Sequence, residues 1–357
     1  MSIGKRPIAG CVSMRICHVM LAKGFGGAER YFVDLSQELA RRGHHVLAIC
    51  HPSGMARERL GRMAGLEIAT VRSLGNWDPF TAGRLRALIE AFRPAVVQAH
   101  LARAAFHTGT ALRDTQVPLL SMTHNYVNIK YYARVNKFLP ATRDQAAYLR
   151  QCGITAERMQ VVPNFSVLPA MTPPPDRPAA LIALGRMVQK KGFHILLAAL
   201  ADLRRRDVPL PPVLIGGDGP LRKKLEQASL REGLGGVVRF AGWLTDPVAF
   251  LDQGTLFVLP SLDEPFGIVV LEAMARGLPI VATSTQGPRE ILDAASAILV
   301  PPGDSAALAE ALMLVLAHPA TARTRAACAT DYFVSRYSAD AVVPQLLAVY
   351  EGMPRNP

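Results

Sequence analysis

Two glutamates eight residues apart stand just past an apolar run in PSLDEPFGIVVLEAMARG, residues 260–277. Glu264 falls in a loop, and Glu272 falls about two turns inside a helix expected to begin near Phe266 and to end at Gly277. Carboxylates so placed accept hydrogen bonds from hydroxyls at two separated ends of one ligand. The first N–H groups of that helix, around Gly267, Ile268 and Val269, lack partners within it and lie at its positive end, which suits a diphosphate between those hydroxyls. Ribose, diphosphate and sugar in a nucleotide sugar have this layout. A bare E-x7-E also fits a loop acid followed by a solvated helix residue, so the surrounding residues must decide.

A second group is cationic. In LGRMVQKKGFHILLAAL, residues 184–200, Arg186 and Lys191 converge on one anion if the loop between them folds back, and two fixed cations beside a departing diphosphate stabilise its growing charge. Gly216, Gly217, Asp218, Gly219 and Pro220 make another strand-to-helix turn, whose glycines are read first as turn formers. Near the start of the chain, LAKGFGGAERYFVDLSQEL sets Gly24, Gly26 and Gly27 before a helix, again a place for phosphate. Glu29 occupies the last position of what would be G-x-G-x-x-G, which disfavours a dinucleotide-binding dehydrogenase. His100 and His124 both follow apolar runs. The stretch NYVNIKYYARVNK, residues 125–137, would bring Lys130, Arg134 and Lys137 to one side if helical, with Tyr131 and Tyr132 nearby, a combination suited to an anionic membrane interface or a phosphorylated glycolipid.

These residues must be held by a frame, and the frame alternates. Short apolar runs at 16–21, 46–50, 68–71, 96–99, 119–123 and 160–162 are separated by helical stretches, as in parallel sheets of β-α-β units. After Pro169, Pro173, Pro174, Pro175 and Pro178 the pattern restarts, with strands at 181–184, 213–215, 237–240, 256–259, 280–282 and 298–300. The expected organisation is an extension over 1–13 that precedes Met14 as a second candidate start, an acceptor-side domain over 14–165 and a linker over 166–178. A nucleotide-sugar domain over 179–338 follows, with a final helix within 339–357. Open parallel sheets bind ligands beyond the carboxyl ends of their strands, so each candidate residue should stand just after a strand, at a cleft between two doubly wound domains.

Composition narrows the class. The 357 residues suit two domains, and no run approaches about 18 uncharged apolar residues, the length of a membrane span. Arg15 and His18 interrupt any signal-peptide core. The five cysteines have no C-x-x-C spacing, which points away from zinc and disulfides and toward a reducing cytoplasm. A formal charge of +12 favours phosphorylated ligands or anionic head groups; nucleic acid rests only on that charge and on Arg204 to Arg206, a usual solvated helix end.

PSLDEPFGIVVLEAMARGLPIVATSTQGPREIL, LGRMVQKKG and GGAER resemble the family 4 retaining glycosyltransferases, and the likeness extends over nearly the whole chain. The resemblance implies the α/β GT-B fold, two Rossmann-like doubly wound parallel-sheet domains facing a central cleft. It assigns the transferred sugar to Glu264, the ribose to Glu272, the diphosphate to Arg186 and Lys191 with the helix start at Phe266, Gly267 and Ile268, and a donor contact to Gly26 and Gly27. His124 matches a position near the sugar, whereas His100 has weaker support. It further implies retaining transfer from a UDP- or GDP-sugar, without metal or other cofactor, to a glycan or glycolipid in cell-envelope or lipopolysaccharide assembly, at the inner face of the cytoplasmic membrane. The sequence says nothing of oligomeric state. A retaining hydrolase would need two carboxylates about 5 Å apart across one bond, which a ribose-bound Glu272 does not supply. The NGVD-like turn of the family is here Asn164, Phe165, Ser166, Val167. A related sugar-nucleotide epimerase and a non-catalytic nucleotide-sugar-binding module are the competing readings.

Overall fold

The computed structural model describes residues 13–76, 78–171 and 180–354. Residues 1–12, which include most of the expected extension, and Pro173, Pro174, Pro175 and Pro178 of the expected linker lie outside them. The chain forms two compact units, one of Met1–Val167 with Ala339–Pro357 and the other of Leu168–Ser338.

The first unit holds strands β1 (Arg15–Met20), β2 (His45–Cys50), β3 (Leu66–Thr70), β4 (Val96–His100), β5 (Leu119–Met122) and β6 (Lys137–Leu139). Its helices are α1 (Gly27–Arg41), α2 (Met55–Arg59), α3 (Pro79–Phe92), α4 (Leu101–Ala111) and α5 (Arg143–Gln151). The second unit holds β7 (Leu181–Leu184), β8 (Val213–Gly216), β9 (Val238–Gly242), β10 (Leu256–Leu259), β11 (Ile280–Thr283) and β12 (Ile298–Val300). Between and after them run α6 (Phe193–Arg205), α7 (Arg222–Arg231), α8 (Pro247–Leu251), α9 (Ile268–Ala275), α10 (Gln286–Ile291), α11 (Ser305–Ala317) and α12 (Pro319–Tyr332). The last helix, α13 (Ala339–Glu351), belongs to the first unit.

The two sheets run β3-β2-β1-β4-β5-β6 and β12-β11-β10-β7-β8-β9, with every paired strand parallel. Both are doubly wound orders whose direction of progression reverses once, between β1 and β4 in one unit and between β7 and β10 in the other. Adjacent loops diverge at such a point and leave room for a ligand. Central strands are buried on both faces, so they read as continuous apolar runs rather than alternating ones: Val96, Val97 and Ala99 of β4 and Leu256, Phe257, Val258 and Leu259 of β10 are all buried. Helix starts are set by Asp78, Thr142, Asp246 and Asp304, whose side chains accept from backbone N–H groups of the first turn.

Two expectations need correction. Residues 160–162 form no strand; they run beside β6, with Gln160 N donating to Phe138 O and Val162 N to Pro140 O. The edge strand itself is β6, three residues too short to register as an apolar run. The segment 125–137 is not a continuous helix but a single 3-10 turn, Ile129–Tyr132, capped by Asn128 and followed by β6. Asn136 explains why: its Oδ1 accepts from Leu119 N at 2.7 Å and its own N–H donates to Leu119 O, which ties the segment to β5 and ends any helix there. Lys130, Arg134 and Lys137 therefore share no helical face.

Candidate functional site

In the second unit the residues with chemistry follow the two strands that flank the reversal. β7 leads into Gly185 and Arg186, then a 3-10 turn at Gln189–Lys191, then Gly192 at φ 66° opening α6. β10 leads into Pro260, Ser261 and the loop that carries Glu264. The loops interlock. Leu262 N and Asp263 N both donate to Lys190 O, at 2.8 and 3.2 Å, and a Cβ on Gly192 would lie 1.8 Å from Pro260 O. Glycine is thus required at 192 twice over, by its backbone and by its neighbour.

This interlock brings Lys191 Nζ onto Glu264 Oε2, with Ser261 Oγ 3.4 Å from the same oxygen. Glu264 is 7 % exposed, and its backbone oxygen accepts from Gly287 N at 2.9 Å. A buried carboxylate beside an ammonium has its charge balanced in place, ready to exchange one partner for a hydroxyl or a phosphate. Gly267, at φ 95°, caps α9, which begins at Ile268 and not at Phe266. Glu272 is accordingly the fifth residue of the helix, nearer its positive end than the expected two turns. It is buried, and so not a solvated surface acid.

The loop bearing Arg186 rests on the Gly216–Pro220 turn. Gly185 N donates to Gly216 O and Met187 N to Asp218 O, and a Cβ on Gly217 or Gly219 would meet the backbone of Gly185 or Met187 at 2.0 and 2.6 Å. Those glycines serve close packing. The exposed Arg186 guanidinium projects from the loop they support.

In the first unit the glycine loop after β1 ends in Gly26, the cap of α1, whose N–H donates to Glu29 Oε2 at 2.9 Å. That carboxylate uses one amide of the loop and offsets the positive end of α1. Across the reversal stands β4, ending in His100, and beyond it His124 follows β5. Leu101 and His124 hold left-handed backbone, φ 67° and 49°, which costs a non-glycine residue about 1 kcal/mol or more and gathers at working sites. His124 is 7 % exposed; its ring lies edge to edge with that of His100, 24° from coplanar, and meets Tyr31 edge-on. Burial holds the His124 imidazole down at about 3, so it is neutral at physiological pH.

A family model described as Glycosyl transferases group 1 matches residues 168–330, and one described as Glycosyltransferase Family 4 matches residues 25–167. The chain belongs to glycosyltransferase family 4. Among its relatives are the lipopolysaccharide core biosynthesis glycosyltransferases LpsD and LpsE of Rhizobium meliloti, each 28% identical. The alignments cover 95% of this chain and 98% of LpsD, and 96% and 100% for LpsE. The crystal structure of Anabaena Alr3699/HepE in complex with UDP superposes with a TM-score of 0.80 at 21% identity, over 95% of this chain and 100% of that one, and shares its GT-B fold.

Other parts of this glycosyltransferase were not legible as site residues. Phe165, in place of the family's small turn residue, is buried edge-on against Tyr31. His18, Gln98 and Tyr350 are fully or almost fully buried polar groups behind His100. The two-residue alternation of a strand does place Gln98 and His100 on one face, and a histidine inside the apolar run of β1 is a signal in itself. Lys130 and Arg134 of the transferase are exposed, with Lys130 Nζ 4.9 Å from the Tyr131 ring centre, and Lys137 Nζ donates to Glu157 O. A different set of cations crowds the loops after β1 and β3 and the start of α4. The His51 imidazole is lowered by burial, then by Lys23 and Arg103 and, less, by Arg72, against a hydrogen bond with the Ser73 backbone that raises it.

Proposed function

We propose that this glycosyltransferase moves a hexose-type sugar from a nucleoside diphosphate sugar to a hydroxyl of a glycan or glycolipid, with retention of anomeric configuration and without a metal, in lipopolysaccharide or related cell-envelope assembly at the inner face of the cytoplasmic membrane. The observation that carries the reading is the Lys191–Glu264 pair beside the start of α9, with Glu272 buried one turn on. On this reading Glu264 accepts from a sugar hydroxyl once Lys191 turns to the diphosphate. Arg186 and the N–H groups at Gly267 and Ile268 share the same charge, and Glu272 holds the ribose. Stabilising the departing diphosphate where its charge develops is the largest catalytic contribution available to such a site. The acceptor hydroxyl loses its proton to that diphosphate as the sugar shifts across.

The names of LpsD and LpsE support the pathway class, and the UDP held by HepE supports a uridine nucleotide among the donors. Metal independence is supported by the cationic side chains at the site, Lys191 on Glu264 and the exposed Arg186 on the neighbouring loop. Among the described residues no single helix is long and apolar enough to cross a membrane. Contact with an anionic membrane through Lys130, Tyr131, Arg134 and Lys137 is supported by the exposure of Lys130 and Arg134 and by the positive charge of the three cations. Liposome flotation of the wild type against the triple alanine variant of the three cations tests it, and equal lack of binding ends it.

The deciding experiment is a panel of UDP-, GDP- and ADP-sugars read by thermal shift, then by transfer to core oligosaccharide in the presence of a chelator, with the product anomer assigned by NMR. One donor should stabilise the protein and be transferred with its configuration kept. Conversion of the donor with no acceptor present would favour the epimerase reading, and inversion or loss of activity in chelator would overturn the mechanism.

A further inference from the structure

Four strands of the first unit end in one row. Met20 pairs with Cys50 and with His100, and Cys50 pairs with Thr70, across the order β3-β2-β1-β4. Neighbouring strands lie about 4.8 Å apart, so the row spans about 15 Å. Just past it come Lys23, His51, Arg72 and Arg103, each within three residues of the end of its strand. Lys23 and Arg103 follow the two strands that flank the reversal between β1 and β4, where open parallel sheets leave room for a ligand.

The loops that carry these residues are tied to one another. Met55 N donates to Lys23 O at 3.2 Å, a Cβ on Gly54 would lie 2.9 Å from Ala22 O, and Arg103 Nη1 donates to Leu21 O at 3.5 Å. His51 is buried, accepts from Ser53 N at Nδ1 and bonds the Ser73 backbone, which joins the loop after β2 to the one that carries Arg72. Arg84 Nη1 donates to Arg72 O at 3.4 Å. These tied backbones hold cations without counterions: among the described residues Lys23, Arg72 and Arg103 form no ion pair. Asp78 is the one acid in the loops after β1, β2 and β3, and its carboxylate is taken up locally. Oδ1 accepts from Phe80 N, and Oδ2 accepts from Leu74 N and Thr81 Oγ1.

Arg103 is the third residue of α4, a helix whose first turn has no acid and whose cap makes no side-chain hydrogen bond. A cation there opposes the positive end of the helix, and an anion beside it relieves both. Arg103 Nε is buried and, among the described residues, has no hydrogen-bond partner, so its desolvation is uncompensated. One 3.5 Å bond holds the guanidinium, and a turn of the side chain sets Nε and an Nη on two oxygens of one group, the fork that arginine offers to phosphate. We propose that Lys23, Arg72 and Arg103 form a subsite for a phosphate group borne on a sugar. A phosphomonoester carries a charge of about −1.5 to −2 at neutral pH and three acceptor oxygens, which suit three cations from three segments. Lys23 and Arg72 are exposed and Arg103 is half-buried, a depth that one sugar phosphate follows and the plane of bilayer head groups does not. The site stands on the first unit alone; that its sugar is the acceptor of transfer rests on the reading above.

The full-length protein, labelled with 15N-arginine, reports each guanidinium through its Nε–H signal, and Arg72→Lys and Arg103→Lys assign two of them by their loss. Titration with glucose 6-phosphate should move the Arg72 and Arg103 signals along one saturable curve, and glucose should move neither. Lys23→Ala combined with Arg72→Ala, both at exposed positions, should weaken glucose 6-phosphate binding by about tenfold or more, read on the Arg103 signal. Arg103→Gln should weaken it as much, read on the Arg72 signal; the exposed pair covers an Arg103 variant that fails to fold. Three results would overturn the proposal: no saturable movement, equal movement with glucose, or affinity unchanged in the exposed pair. Two more would reassign the cations and overturn it as well. UDP might be expected at a diphosphate site, so movement of both signals by UDP but not by glucose 6-phosphate would give them to the donor. Loss of binding to phosphatidylglycerol vesicles in the exposed pair, with no response to glucose 6-phosphate in the wild type, would give them to a lipid surface. Binding needs no turnover, so a protein inactive on every donor that still binds glucose 6-phosphate sinks the transferase reading and keeps this site. An active transferase whose arginine signals ignore the sugar phosphate sinks this site alone.

Discussion

Lys191 and Glu264 are 73 residues apart in sequence and in contact in the fold. Each was legible by itself, because a cation or a carboxylate just past a strand is a local pattern; the pairing was not, since it requires knowing that β7 and β10 are neighbours. The roles assigned to the pair and to Glu272 separate in kinetics. If Glu272 holds the ribose as proposed, Glu272→Ala should weaken nucleotide binding by about tenfold or more, with a smaller effect on kcat, as read by calorimetry with the free nucleoside diphosphate. If Lys191 acts where charge develops, as proposed, Lys191→Ala should lower kcat by about 100-fold while donor affinity changes far less. Unchanged kinetics in both variants would contradict the assignments. His18 and Tyr350 lie beyond this kind of reading, because nothing near either residue in sequence announces a partner more than 300 residues away.

At the scale of elements, doubly wound sheets were readable from buried apolar runs, whereas β6 was not. Its three residues carry no periodicity and exist because Asn136 and β5 hold them. Helix α9 also starts later than its apolar pattern, since Gly267 at φ 95° fixes the cap and the pattern cannot see backbone. The glycines that shape the site make a testable contrast. Gly192→Ala places a Cβ 1.8 Å from Pro260 O and forces left-handed backbone on alanine. Strain and overlap together should cost about 2 kcal/mol or more and displace the Ser261–Glu264 loop from Lys191, lowering both the melting temperature and kcat. Gly236→Ala, where a Cβ meets nothing within 4 Å, is the control in the same unit and should leave both within error. Equal melting of the two variants would mean that the interlock of the loops after β7 and β10 does not matter to stability.

Across the whole molecule, the formal net charge of +12 and the buried histidines each have a consequence that can be measured. Lys23, Arg103 and Arg72 all act on His51 in the lowering sense, and three cations near one another suit an acceptor that carries phosphate or carboxylate groups. Arg72→Ala combined with Lys23→Ala should raise the KM for a phosphorylated core oligosaccharide several-fold, flatten its dependence on salt, and leave nucleotide binding unchanged; an equal rise for a dephosphorylated acceptor would refute a charge-based role. The buried histidines set the second consequence, a loss of stability in mild acid. His18 and His124 titrate near 3 in the fold and His100 well below its usual range, against 6.5 in an unfolded chain. Between those limits the unfolded chain binds protons that the native one refuses, so stability is full above about pH 6.5 and falls as pH drops toward 3. Asp34, raised to about 6 by burial against the lowering effect of Arg30 and Arg41, works in the opposite sense, since below 6 the native state holds a proton that the unfolded chain releases until 3.8. One carboxyl cannot offset three histidines, and His44, His51 and His194, also lowered by burial, add to the loss. Urea midpoints should therefore decline from pH 7 to pH 5, and His18→Gln, which removes one of the titrating rings, should lessen the decline. A midpoint constant over that range would show that these imidazoles are hydrated in the folded protein and that their burial does not hold them neutral.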